Sequence, residues 1–185
     1  MRYTYDFEFK EDGKTIDPIS MGMVNMDTDA ELYLVFNDFD TRKVAADWWL
    51  MENVMSSIEH TTHVQVDFQG AKVVRDLMVT DPNSVTREEG AQLLRNFVAG
   101  DNNIEWWNWY GAYDHVALCQ LFGRMIDLPK GFPMYSNDIK QIHKQAKWCE
   151  MPKQPKGKHN ALDDARFNVV RINYIENLLR QQQPV

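Results

Sequence analysis

The order of strand-like and helix-like segments predicts an α/β domain in which a mixed sheet is covered by helices. Three observations carry that prediction. Strand patterns separated by short turns fill the first 36 residues. Helical spacing takes over after Asp40-Thr41. An aromatic strand, Ile104 to Tyr110, then returns between helical segments.

The first strand covers about residues 2–9 and is rich in aromatic and β-branched side chains, Tyr3-Thr4-Tyr5-Asp6-Phe7-Glu8-Phe9. Glu11-Asp12-Gly13-Lys14 reads as a turn, residues 15–26 as a second strand, Asp27-Thr28-Asp29 as another turn, and Glu31 to Phe36 as a third strand. Three strands joined this closely form an antiparallel meander. Val44, Trp48, Met51 and Met55 recur at helical spacing and predict one helix to about residue 58. Residues 64–80 read equally as a short strand or a loop. Thr86-Arg87-Glu88-Glu89 has the threonine and the acidic first turn of a helix start, and Gly100 ends that helix. After the aromatic strand, Gly111-Ala112-Tyr113 leads into Asp114 and a helix from Val116 to about Arg124. Further helices are expected from Asp138 to about Trp148 and from near Asn160 to about Leu179. Met151 to Lys158, with two Pro, one Gly and three Lys, reads as a mobile loop, and the tail from about residue 180 to 185 as frayed. No linker or repeat divides residues 1–185, so a single domain is expected.

Composition bounds the function. The chain is 44% hydrophobic with six Trp, seven Tyr and nine Phe, which is a folded composition. A net charge of −7 argues against a basic protein that coats nucleic acid. It does not exclude an enzyme acting on nucleic acid, because clustered carboxylates that bind cations inflate the negative count. Cys119 and Cys149 form neither a disulfide framework nor a metal-ligand spacing, which suits a reducing cytoplasm. No signal peptide is expected ahead of the first strand, and no apolar run reaches membrane-spanning length.

Asp6 and Glu8 are the first chemical signal. Strand side chains alternate faces, so the two carboxylates lie side by side in an apolar run. Their repulsion and desolvation are relieved by a divalent cation with a taste for oxygen, Mg²⁺ or Mn²⁺. A wet edge strand would also accommodate them. Asp114 stands where a strand gives way to a helix, either as a helix cap or at a strand-end site. His159 falls at a loop–helix junction five residues before Asp164, while the neighbouring Asp163 suits the helix dipole. His60 and His63 lack a third partner for a metal site. Trp106, Trp107 and Trp109 could stack on bases, with Trp107 and Trp109 better suited by strand alternation to a core or a dimer contact. Phe9 and His115 adjoin the acidic residues and are candidate substrate contacts, as are Lys153, Lys156 and Lys158 ahead of His159.

Asp6-x-Glu8, then Asp114, then His159 and Asp164, in this order, resemble the DEDDh 3′–5′ exonucleases. The likeness covers nearly the whole chain. It is closest to a small bacterial and phage exoribonuclease family typified by a mycobacterial enzyme. Three blocks carry it: Tyr5-Asp6-Phe7-Glu8-Phe9, Trp109 to Leu118, and His159 to Arg166. Phe9-Lys10 stands where many DEDDh nucleases have Thr-Gly. The resemblance implies a ribonuclease-H-like fold with a mixed five-stranded sheet that includes an antiparallel meander, flanked by helices. It implies two Mg²⁺ ions, replaceable by Mn²⁺, about 4 Å apart. Asp6 would bridge them, Glu8 and Asp164 would complete one, Asp114 would serve the other, and His159 would be the general base. Single-stranded RNA is the implied substrate, with nucleoside 5′-monophosphates as products, and a homodimer in a bacterial or phage-infected cytoplasm is implied as well. Two alternatives stay open at this point: an exonuclease on DNA or short oligonucleotides with the same site, and a silent nucleic-acid-binding domain.

Overall fold

The computed structural model describes residues 1–67, 72–155 and 158–181. The expected frayed tail beyond Gln181 and residues 156–157 of the expected Lys-rich loop lie outside the described residues.

The meander is present as β1 (Arg2–Glu11), β2 (Ile16–Asn25) and β3 (Glu31–Phe36). Alternation sorts the first strand cleanly. Tyr3, Tyr5 and Phe7 are buried in the main core, while Thr4, Asp6 and Glu8 point to the other face. β2 lies between β1 and β3 and is buried along nearly its whole length, as a strand covered on both faces must be. β7 (Glu105–Asn108) runs parallel to β1. The two-residue strands β6 (Ser84–Val85) and β8 (Asn137–Asp138) extend the edges, giving the order β6-β3-β2-β1-β7-β8. The sheet therefore has six strands rather than five. The sixth arises because both added edge strands are too short to leave a periodic pattern.

Residues 64–80, ambiguous in sequence, fall largely within a separate antiparallel ribbon of β4 (His60–Asp67) and β5 (Lys72–Val79). Val64 and Met78, on opposite faces of the ribbon, are both exposed, and among its described side chains only Leu77 is buried, so the strands show no clean two-residue period. The single helix expected to residue 58 is instead α1 (Thr41–Ala45), α2 (Trp48–Asn53) and a 3₁₀ turn, Met55–Ser57. Asp47 causes the break: its carboxylate accepts bonds from the Trp49 and Leu50 N–H groups and starts a new helix. The capping box of α3 (Arg87–Phe97) is complete between Thr86 and Glu89.

α4 (Ala112–Gln120) begins four residues earlier than expected, so Asp114 lies inside its first turn and Gly111 takes the cap position. α5 (Ile139–Gln145) is capped by Asp138. α6 (Ala161–Gln181) crosses the face of the sheet that carries Thr4, and the Thr4 hydroxyl donates to the Ala165 carbonyl at 2.8 Å. Trp106 is fully buried in the main core, against the expectation that its neighbours would be the deeper pair. Trp107 and Trp109 instead help cover a smaller core of Ile139, Ile172 and Ile175 between α5 and α6.

Candidate active site

The cleft exists because β7 is short. It pairs with β1 only over Arg2–Thr4, so the flank of β1 beyond Thr4 is left open. The Phe7 N–H on that flank donates to Asp114 Oδ1 at 2.8 Å. Asp114 is 7% exposed and tied to the strand by this bond, so its carboxylate serves the sheet edge rather than a helix cap.

On the other side of Asp6 the approach of α6 is set by a glycine. Gly22 is the cross-strand partner of Asp6. A Cβ on Gly22 would meet the Leu162 backbone at 2.3 Å and the Ala161 carbonyl carbon at 2.4 Å. Only a residue without a side chain lets the first turn of α6 rest on the sheet there. That close approach brings Asp164 to Asp6 and Glu8, and one carboxylate oxygen from each of the three lies within 4.8 Å of the others.

The junction before α6 is tightly specified. Asn160 caps the helix by accepting from the Asp163 N–H at 3.1 Å. His159 adopts a left-handed backbone, φ 63°, and its N–H donates to Asp164 Oδ2 at 2.8 Å. Its ring meets Trp49 edge-on, with centroids 4.9 Å apart. Trp49 is placed by the Asp47 cap and by an ion pair from Lys10 on β1 to Asp47 at 2.7 Å.

Asp6, Glu8, Phe9, Trp109, Tyr110, Tyr113, Asp114, His159, Asp164 and Arg171 line one cleft, so the five expected motif residues meet in one place. A second hollow of about 380 Å³ adjoins it and shares Phe7, Glu8 and Phe9, adding Trp49 and Leu50. Phe9 lines both and follows directly on a shift of the β1–β2 register between Glu8 and Phe9. Its ring packs edge-on against Tyr113 at 5.9 Å. His115 is not among the lining residues, and its Nδ1 lies 3.2 Å from the Tyr5 hydroxyl. Lys158 and Lys153 are exposed and also outside the lining. Lys156 lies outside the described residues. His60 and His63 sit on the β4–β5 ribbon, where His60 Nδ1 is 2.8 Å from the Ile58 carbonyl.

Sequence reasoning missed Gly22, Trp49, Tyr110, Tyr113 and Arg171. The spacing Asp164, Asn168, Arg171 follows one helix face and could have pointed to the arginine. Nothing local marks Gly22 or Trp49, because both act through distant chain.

The electrostatics are those of crowded, partly desolvated carboxyl groups. Burial, reinforced by Asp114, Glu8 and Asp164, raises the Asp6 carboxyl well above its usual range. Burial, then the charges of Asp164 and Asp114, pushes Glu8 up to about 8. Burial raises Asp114 to about 7 against the opposing bond from the Phe7 N–H. Clustered, partly desolvated carboxylates are the donor set that a hard divalent cation requires, so the residues fit Mg²⁺ or Mn²⁺. Among the described residues this is the one such group of three or more.

A pH dependence follows. A carboxyl whose folded-state pKa is raised favours folding while protonated. That contribution is full below the unfolded carboxyl range, near pH 4, and is lost as pH rises through about 7 to 8. In EDTA the melting temperature is expected to fall between pH 6 and pH 9. Mg²⁺ should raise it more at pH 8 than at pH 6, because protons compete for the same oxygens. Scanning calorimetry checks this, and a flat profile in EDTA would contradict it.

Known proteins resemble this chain over nearly its whole length. The family model described as the 3'-5' exoribonuclease Rv2179c-like domain matches residues 1–176. The chain is 35% identical over 175 residues to 3'-5' exoribonuclease Rv2179c of Mycobacterium tuberculosis strain H37Rv, covering 95% of this chain and 93% of that protein. It has the same identity and coverage with 3'-5' exoribonuclease MT2234.1 of Mycobacterium tuberculosis strain CDC 1551.

Proposed function

Given that the chain belongs to the Rv2179c-like 3'-5' exoribonuclease family, we propose that it removes nucleoside 5′-monophosphates from the 3′ end of single-stranded RNA with two Mg²⁺ ions. The observation that carries this reading is the gathering of Asp6, Glu8 and Asp164 within one cleft, oxygen to oxygen within 4.8 Å.

Asp6, Glu8 and Asp164 would hold the metal, with Asp114 completing the set. When bound, the ions supply charge neutralisation at the scissile phosphate and a more acidic attacking water. The chain's own groups do the rest. His159 stands at the rim of the cleft with its backbone fastened to Asp164, and its imidazole takes the proton from the attacking water. Asp114 keeps the open flank of β1 in place through the Phe7 N–H. Phe9 and Trp49 line the adjoining hollow, where the terminal base stacks and sets the 3′ nucleotide in register with the carboxylates.

The reading includes a homodimer and a bacterial cytoplasm. The two free cysteines, Cys119 and Cys149, suit a reducing compartment. No helix among the described residues is long and apolar enough to cross a membrane.

The test uses 5′-labelled RNA and DNA of one sequence, with Mg²⁺ or EDTA. A ladder that shortens from the 3′ end of RNA in Mg²⁺, and disappears in EDTA, is the expected result. Faster shortening of DNA would assign the other polymer to the site. Internal cleavage, or shortening undiminished by EDTA, would overturn the proposal.

A further inference from the structure

Arg171 is not accounted for by the metal ligands beside it. It lies on α6 seven residues after Asp164 and three after Asn168, on the helix face turned toward the cleft. Its guanidinium lies over the Trp109 and Phe167 rings, 4.6 Å from each centroid. Its Nη1 donates to Oδ1 of the fully buried Asn168 at 2.6 Å. Trp109 carries a second cation, with Lys140 Nζ also 4.6 Å from the ring centroid.

An arginine that served only to neutralise the acidic cluster would pair with one of its carboxylates. Arg166, on the same helix, does pair with acidic neighbours: it meets Glu31 at 2.6 Å and Asp163 at 2.8 Å. Among the described residues no carboxylate is in an ion pair with Arg171, although Asp164 and Asp6 are near enough for their charges to act on it. Its charge partly offsets the crowded Asp6 carboxylate from a distance, but with no carboxylate paired to it the guanidinium can still meet a ligand in the cleft. Its planar fork matches the oxygens of a phosphate. The two aromatic rings and Asn168 fix the fork before substrate arrives, so little side-chain entropy is lost on binding.

The lining residues also indicate which way the strand runs. Trp49 and Leu50 flank Glu8 and Phe9 in one hollow, and Trp109, Tyr110 and Arg171 flank them in the cleft. A terminal nucleotide seated in the first leaves the rest of the strand to pass over the second.

We propose that Arg171 is a substrate-binding residue that grips a non-bridging oxygen of an RNA phosphodiester, either the scissile one or its 5′ neighbour. This rests on the exonuclease reading above. The test compares Arg171→Met and Arg171→Lys with wild type on a dinucleotide, which has one phosphodiester, and a trinucleotide, which has two. Removing a charge-assisted bond should raise KM of the Met variant by about ten- to a hundredfold, with a smaller change in kcat. Lys should fall between Met and wild type, because it keeps the charge but not the fork. On a long single-stranded RNA, which carries a condensed counterion atmosphere, the slope of log KM against log salt should shrink by about 0.7 in the Met variant, the amount expected when a protein grips one phosphate fewer. Impairment on both substrates places the arginine at the scissile phosphate, and impairment on the trinucleotide alone places it at the neighbour.

An unchanged KM in the Met variant would overturn the proposal. So would a Lys variant as impaired as Met with an unaltered salt slope, which would make Arg171 a packing strut between α6 and Trp109. Wild-type protein that shortens neither these two RNAs nor the longer 5′-labelled RNA would overturn the exonuclease reading itself, a result distinct from active wild type with an unaffected Arg171→Met.

Discussion

Asp6→Asn is expected to abolish RNA shortening and, in EDTA at pH 8, to make the protein more stable. The two effects share one cause. Asp6 sits among Asp114, Glu8 and Asp164, and burial together with those three charges raises its carboxyl well above the usual range. Replacing it by a neutral isostere removes the cost of burying that acid among like charges, whether that cost is met as repulsion or as a proton taken up on folding. The gain should be on the order of 1 kcal/mol, or a few degrees in melting temperature for a chain of this size. In the proposed mechanism the same change removes an oxygen that would hold the metal, and turnover should fall roughly a thousandfold or more. Mg²⁺ should then stabilise the variant much less than it stabilises wild type. Melting curves with and without Mg²⁺, beside initial rates on RNA, check both halves. An inactive variant that is also less stable in EDTA would mean that Asp6 serves the fold more than the site.

Gly22→Ala is expected to cost both stability and activity, although Gly22 lines neither the cleft nor the hollow beside it. The added methyl would stand 2.3 Å from the Leu162 backbone, and backbone cannot rotate out of the way as a side chain can. Either α6 lifts from the sheet or β2 bends. Overpacking of this kind costs about 3 kcal/mol or more, a fall on the order of 10 °C in melting temperature. Because the first turn of α6 carries Asp164, the oxygen cluster should open. The Mg²⁺ concentration needed for half-maximal rate should then rise by about tenfold or more. The measurement is a Mg²⁺ titration of activity at a temperature where the variant remains folded. A folded variant with wild-type Mg²⁺ dependence would show that the position of Asp164 does not depend on that close approach.

The fold class was legible because the central elements are locally consistent. β1 alternates aromatic and polar residues along its length, and the aromatic set is the buried one. The Thr86–Glu89 capping box names its helix from four residues. The helix break at Asp47 was hidden because the apolar spacing runs through it, and only the hydrogen bonds of the cap reveal the restart. The edge strands β6 and β8, two residues each, are defined by pairing partners and leave no period to detect.

The chemical residues were legible as types in an order. Asp6 and Glu8 share a face by strand geometry alone, and His159 and Asp164 flank one helix start, so each pair could be read locally. Which carboxylates and which imidazole are candidates, and to which family the chain is similar, can therefore be read from residue order alone. Tertiary structure decided how they meet. It set Asp114 on the unpaired flank of β1, because β7 stops pairing at Thr4. It seated α6 on Gly22, and it turned Trp49 toward the adjoining hollow and Arg171 into the cleft. The physical reason is that periodicity reports only which way a side chain points from its own element. The separation between elements is set by packing between residues far apart in the chain, and at this cleft by the side chain that Gly22 lacks.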